Sequence, residues 1–232
     1  YFSTYLEAVG HDRWGGESGG DSVGIIIAKG SIVDGYQPPG EIGGYSTGAL
    51  IRRARLDDSV KALVVRVDSG GGSSFASEII RRELDLVRKD GKPVIVSMGS
   101  VTASGGYLLS MAADEIYAYN TTITGSIGIY GIFPTFQETL KKYMGIHVDG
   151  VSTAKIADVI RFDRQMSPEV KEAFRMIIDR GYDDFISVVA KNRGKKKKEI
   201  HEIAQVRVWI GSDALKLELV DKIGNLDDAV KA

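Results

Sequence analysis

Two glycine-rich turns carry the residue types that nucleophilic chemistry needs. One, Thr102-Ala-Ser104-Gly-Gly-Tyr107, sets a serine where an apolar strand gives way to an apolar helix. A hydroxyl there sits at the positive end of a helix dipole, which favours an oxyanion forming beside it. The flanking glycines leave room for a substrate carbonyl. The other turn, Ser69-Gly-Gly-Gly-Ser73, also follows a strand. Its glycines can adopt φ > 0 and bring bare N–H groups close to a ligand, a nest suited to phosphate or to a developing oxyanion. Each turn alone also has a plain structural reading: a tight turn for the triple glycine, and for the Ser104 turn a helix N-cap serine followed by flexible glycines. The triple-glycine turn lacks the Gly-Lys-Ser/Thr ending of a phosphate loop. The Ser104 turn is not an esterase elbow, because Thr102 stands at its first glycine position.

A serine nucleophile needs a base. The chain has three histidines. His11 lies beside a Gly/Ser-rich stretch, His147 between two β-branched residues in an expected strand, and His201 in a charged helix. None has a triad-like context, and that shortage favours a Ser–Lys pair. A lysine acts as a base only when its neutral form is populated, which burial away from anions brings about. Lys155, in the uncharged Ser152-Thr-Ala-Lys-Ile-Ala, suits this best, since most other lysines stand in charged runs. An ordinary surface lysine is the competing reading of the same residue.

The elements around these turns have a βαβ pattern. Val23–Ala28 is a continuous apolar run, as expected for a strand buried on both faces of a parallel sheet, and Leu63–Val67 and Val94–Met98 are expected as the second and third strands. Helices are expected from Ser46 or Thr47 to Arg55, from Phe75 to Lys89, and from Ser104 to Ala113, with further short strands at Ile116–Tyr119 and Ile127–Tyr130. Strand–helix alternation predicts an α/β fold with a mainly parallel sheet. Ser167-Pro168-Glu169 supplies an N-cap, a first-turn proline and a first-turn acid. Apolar residues at Val170, Phe174, Ile177, Ile178, Tyr182, Phe185, Ile186 and Val189 then mark a long amphipathic helix. The stretch Val206-Arg-Val-Trp-Ile210 and then two short helices close the chain. The expected organisation is an N-terminal helix and linker over 1–22, a catalytic core over 23–165, and a helical, oligomer-forming region over 166–232.

Composition narrows the partners. Lys and Arg total 30 against 31 Asp and Glu, so charge gives no reason to expect nucleic acid. With no cysteine, disulfides, Cys-bound zinc and a thiol nucleophile are excluded for these residues; no metal or cofactor is expected. No apolar run reaches 18 residues. The sequence opens on Tyr1, so a targeting or anchoring segment is expected upstream.

Five stretches together resemble one family. Ala62-Leu-Val-Val-Arg-Val-Asp-Ser-Gly-Gly-Gly-Ser73, Gly91-Lys-Pro-Val-Ile-Val-Ser97, Ala103-Ser-Gly-Gly-Tyr107, Thr124-Gly-Ser-Ile-Gly128 and Val208-Trp-Ile-Gly-Ser-Asp-Ala214 are similar, in order and spacing, to signal peptide peptidase A, also called protease IV. The resemblance runs from about Ser22 onward and is greatest to the second half of the double-length form. It implies a crotonase/ClpP-like fold of stacked βαβ units and a homo-oligomeric, tetramer-like bowl with inward-facing sites. It further implies a membrane-bound serine endopeptidase that degrades cleaved signal peptides or other unfolded apolar peptides. The catalytic domain would face the periplasm or cell exterior from the inner membrane.

By the same resemblance, Ser104 matches the nucleophile, Gly71 and Gly105 match the oxyanion-hole amides, and Ser126 matches a serine that holds the base lysine. Two positions depart from the pattern. Gly70 replaces a proline in the first turn, which loosens it but keeps the N–H donors. The base has two candidate sources: Lys155, or a lysine from another half or a neighbouring subunit. Two rival functions remain at this stage, a crotonase-type acyl-CoA enzyme and a non-catalytic assembly half.

Overall fold

The computed structural model describes residues 20–154 and 161–232. They fall into two compact units, 20–126 with 207–232, and 127–206.

The first unit is built on a seven-stranded sheet. Its strands are β1 (Ser22–Lys29), β4 (Val60–Ser69), β5 (Val94–Ala103), β6 (Glu115–Ala118), β7 (Ile123–Gly125), β8 (Val208–Ile210) and β9 (Lys222–Ile223). A separate two-stranded sheet joins β2 (Ile32–Val33) to β3 (Ile42–Gly43). The main order is β1-β4-β5-β6-β9, all parallel, with β7 pairing β5 and also β8, the latter antiparallel. The crossovers are α1 (Gly44–Leu56) and α2 (Ser74–Lys89), followed by the short α3 (Gly105–Ser110). The βαβ expectation therefore holds.

The apolar runs explain the sheet. Leu63, Val65 and Val67 of β4 and Val94, Val96 and Met98 of β5 are all fully buried. Ile51 of α1 and Ile80 and Leu84 of α2 are buried too, so these crossovers contribute to the core. Truncating any of the larger of these side chains to alanine would cost about 2–5 kcal/mol. On the opposite face, Val64, Ile95 and Tyr117 pack with Ala229 of the last helix, α8 (Leu226–Lys231), where Ile25, Leu226 and Val230 join them. The C-terminal residues thus return to cover the sheet begun by the first strands, behind α7 (Gly211–Lys216).

One strand does more than its apolar run foretells. β5 continues through Ser100-Val-Thr102 to Ala103, pairing with β6 through Ile95–Ser97 and with β7 through Val101–Ala103. Between these segments Gly99 passes so close to Asp68 that a Cβ there would lie 2.8 Å from its carboxyl carbon. The two buried threonines at this junction are satisfied internally: Thr102 Oγ1 donates to the Val67 carbonyl, and Thr124 Oγ1 of β7 to the Thr102 carbonyl, both at 2.7 Å.

The strand expected at Ile127–Tyr130 is absent, and Ile123–Gly125 forms one instead. Gly125 and Ser126 both take positive φ, +81° and +49°, which turns the chain out of the sheet before Ile127. The segment expected to hold His147 in a strand is likewise irregular.

The second unit contains α4 (Gln137–Met144), α5 (Pro168–Asn192) and α6 (Lys197–Ile203). The long amphipathic helix appears as expected, with the Ser167 hydroxyl accepting from the Val170 N–H and Pro168 in its first turn. Its buried stripe includes Val170, Phe185, Ile186 and Val189. Phe174 packs on Phe133 with ring centroids 4.3 Å apart. No helix among the described residues is long and apolar enough to cross a membrane.

Candidate active site

The two glycine turns meet. β4 and β5 are adjacent and parallel, so their C-terminal ends deliver Ser69-Gly-Gly-Gly and Ser104 to the same edge of the sheet, with Ser69 paired to Thr102. In open α/β sheets this edge is where ligands bind. Contact is close: a Cβ on Gly71 would lie 2.8 Å from both the Ser104 Cβ and the Gly105 nitrogen.

Ser104 joins β5 to α3 in a conformation that side chains rarely adopt, φ 51° and ψ −118°. Such backbone strain costs about 1–3 kcal/mol and persists only where the surroundings enforce it. Here they do so through two hydrogen bonds: the Ser104 N–H donates to the Gly125 carbonyl at 2.9 Å, and the Ser104 carbonyl accepts from Leu108 N–H at 2.8 Å. With the backbone held, the side chain is left out of the helix cap. The hydroxyl is half-buried and has no hydrogen-bond partner among the described residues. The plain reading of this serine as a side-chain N-cap therefore fails.

Glycine is required at two further points. Gly105 is buried, and a Cβ on it would fall 2.4 Å from the Ser77 hydroxyl of α2. Ser77 is itself fixed by donating to the Ser73 carbonyl at 2.7 Å. The Gly105 N–H stands at the first position of α3, where no intrahelical acceptor exists, and it takes none elsewhere among the described residues. Gly71 has φ +102°, and its N–H donates to the buried Ser69 Oγ at 3.1 Å. This amide is therefore shared with Ser69 rather than bare.

Gly72 was not singled out by sequence reasoning. Its neighbours bind strand β2 on one side: Ile32 N–H donates to the Gly71 carbonyl and Ser73 N–H to the Ile32 carbonyl. By the alternation of an extended chain, the Gly72 N–H faces away from Ile32. Its nitrogen lies 3.4 Å from the Cβ position of Gly105, and Gly72 is exposed. The only sequence signal for it was the third consecutive glycine.

Ser126 closes the other side. It directly follows Gly125, whose carbonyl holds Ser104, and the β5–β7 register pairs Ala103 with Gly125. The positive φ of Ser126 is held by its N–H donating to the Arg207 carbonyl at 2.7 Å. Ser104 and Ser126 are thus neighbours at the ends of paired strands. Lys155 lies outside the described residues, as does His11. His147 is exposed, and the ring nitrogens of His201 are engaged with Tyr182 Oη, at 2.7 Å, and the Gln205 amide.

The helix behind the serine is anchored by Tyr107, fully buried, whose hydroxyl donates to the Leu219 carbonyl at 2.8 Å. Tyr107→Phe should lower the free energy of unfolding by about 1–3 kcal/mol, measured by urea titration, because a buried carbonyl loses this donor.

A family model described as Peptidase family S49 matches residues 87–232. Protease 4 of Haemophilus influenzae is 46% identical over 210 residues, covering 90% of this chain and 34% of that protein. Arabidopsis thaliana has a relative named Serine protease SPPA, chloroplastic, 36% identical over 233 residues, covering 97% of this chain and 34% of that protein. The chain thus spans about a third of the length of these relatives. Among solved structures, a mutant ClpP1 from Listeria monocytogenes superimposes with a TM-score of 0.58 at 13% identity, covering 89% of this chain and 94% of that one. The fold is therefore α/β and ClpP-like, and with the family model spanning well over half of its residues, the chain belongs to peptidase family S49.

Proposed function

We propose that the chain is the nucleophile-bearing part of a serine endopeptidase, with Ser104 attacking the peptide carbonyl. The observation that carries this reading is the Ser104 hydroxyl, without a hydrogen-bond partner among the described residues and held on a strained backbone against the triple-glycine turn. Ser104 Oγ bonds to the carbonyl carbon as its proton passes to a neutral lysine. The carbonyl oxygen becomes an oxyanion, stabilised by the amides of Gly105 and of the triple-glycine turn. At that turn Gly71 must share its N–H with Ser69 Oγ, and Gly72 offers the more open donor. The C–N bond then breaks, the amine leaving with the proton returned by the lysine. Water hydrolyses the resulting acyl ester.

The base is Lys155 or a lysine of another half or subunit, and in this proposal Ser126 orients it. Lys155→Ala in the full-length protein separates the two. A loss of turnover as deep as that of Ser104→Ala assigns the base to Lys155. Unchanged kcat/KM assigns it elsewhere.

Cleaved signal peptides are the proposed substrates. Attachment to a membrane through a segment outside this sequence and assembly into a homo-oligomeric bowl complete the proposal. Labelling by a serine-directed phosphonate, mapped to Ser104 by mass spectrometry, would support the peptidase. Coenzyme A binding with no label would favour the acyl-CoA reading. Silence to every serine-reactive probe in the full assembly would favour a purely structural half.

A further inference from the structure

Among the described residues, β1 leaves one edge of the sheet open. β1 is the outermost strand of the sheet, bonded only to β4 among the described residues. Exposed edges are normally blunted by proline, bulges or central charges, because they template pairing with other chains. This one carries no proline or charge along Val23-Gly-Ile-Ile-Ile-Ala28, and the register shift against β4 lies before that run, between Ser22 and Val23.

Which groups face outward follows from the bonds to β4. Ser22 N–H donates to the Ser59 carbonyl and Gly30 N–H to the Asp68 carbonyl, so even-numbered residues direct their backbone groups inward. Odd-numbered residues of the strand, 23 to 29, therefore present N–H and C=O to the open edge, and Asp21 stands just before its first residue. Their side chains share the face on which Ile25 packs against the cluster around Ala229. On that face Val23 is 41% and Ile27 54% exposed.

We infer that β1 pairs antiparallel with β1 of a second copy about a two-fold axis at Ile25. Outward groups on odd residues permit only registers that oppose odd to odd. The register centred on Ile25 sets Val23 against Ile27 of the other copy and Asp21 against its Lys29. Exposed apolar residues then meet apolar residues, and acid meets base at both ends. Asp21 is 79% exposed at its side chain, and among the described residues its one ion-pair contact is to Lys61 at 3.5 Å, so it is available for this. A two-fold contact uses each such pair twice. The charge complementarity selects a second copy over an unrelated strand. The inference is independent of the peptidase reading.

Three measurements on the intact protein test it. Amide hydrogen exchange at Val23, Ile25 and Ile27 should slow as protein concentration rises and the species becomes dimeric. Lys29→Glu should weaken the dimer by about tenfold or more, since two attractive pairs become repulsive, and the double swap Asp21→Lys with Lys29→Glu should restore it. The chain has no cysteine of its own, so Val23→Cys mixed with Ile27→Cys should cross-link on oxidation, while either variant alone should not. Opposed residues in such a pair have Cα atoms about 5.5 Å apart, within disulfide reach. Free exchange at every concentration would overturn the inference. So would protection that persists in the dilute monomer, which would place another part of the same chain on the edge, or an oligomer indifferent to Lys29→Glu.

Discussion

Ser104→Ala is expected to lower kcat/KM for peptide cleavage by about 10⁴-fold or more while leaving the fold intact. Removing a nucleophile in serine peptidases has effects on this scale, and what remains comes from binding and the oxyanion donors. The structure gives reason to expect the fold to survive. Ser104 is fixed by its backbone, through Gly125 and Leu108, and its hydroxyl bonds to nothing among the described residues. Alanine keeps the Cβ and loses only that hydroxyl. Urea and thermal midpoints should therefore match those of the parent within error, and phosphonate labelling should disappear. Persistent cleavage by a clean preparation of this variant would remove Ser104 from its role. A large drop in stability would show that its hydroxyl supports the fold instead.

Much of this site was legible because buried parallel strands leave a simple trace. Val23–Ala28, Leu63–Val67 and Val94–Met98 are apolar on both faces apart from Arg66 and Ser97, and each became a strand, although β1 is an edge strand with Val23 and Ile27 exposed rather than a strand buried on both faces. Ser167-Pro168 announced the long helix through local chemistry alone. What stayed hidden depends on distant partners. β5 runs on to Ala103 because Thr102 finds the Val67 carbonyl, a pairing no local pattern encodes. β8 and β9 are three and two residues long and exist because β7 and β6 offer them edges. The strand expected at Ile127–Tyr130 was displaced because Ser126, a residue with no special tolerance for positive φ, is held there by Arg207. At the site itself, the glycine spacing named Gly71 and Gly105, but only coordinates show Gly71 engaged with Ser69 and Gly72 turned outward from Ile32.

That distinction within the triple-glycine turn supports the second large prediction. Gly71→Ala should reduce kcat/KM by about 10²–10³ or more, the cost of an impaired oxyanion hole. Two effects combine. At φ +102° an alanine is strained, and its Cβ would stand 2.8 Å from Ser104 Cβ and Gly105 N and 3.0 Å from the Ala103 carbonyl. It would fill the space between nucleophile and donors where a carbonyl oxygen must sit. Gly70→Ala is the control: nothing lies within 4 Å of its Cβ position and its φ is not positive, so its activity should stay within about threefold of the parent. Gly72→Ala is a poor substitute, because its Cβ would meet the Ile32 carbonyl oxygen at 2.1 Å and break the bridge to β2. The informative comparison is thus Gly71 against Gly70, read in kcat/KM and in the rate of phosphonate labelling, with circular dichroism confirming that both variants fold. If a folded Gly71→Ala cleaves as fast as Gly70→Ala, the gap beside Ser104 is not where the carbonyl binds, and the attack must be assigned to another face of the serine.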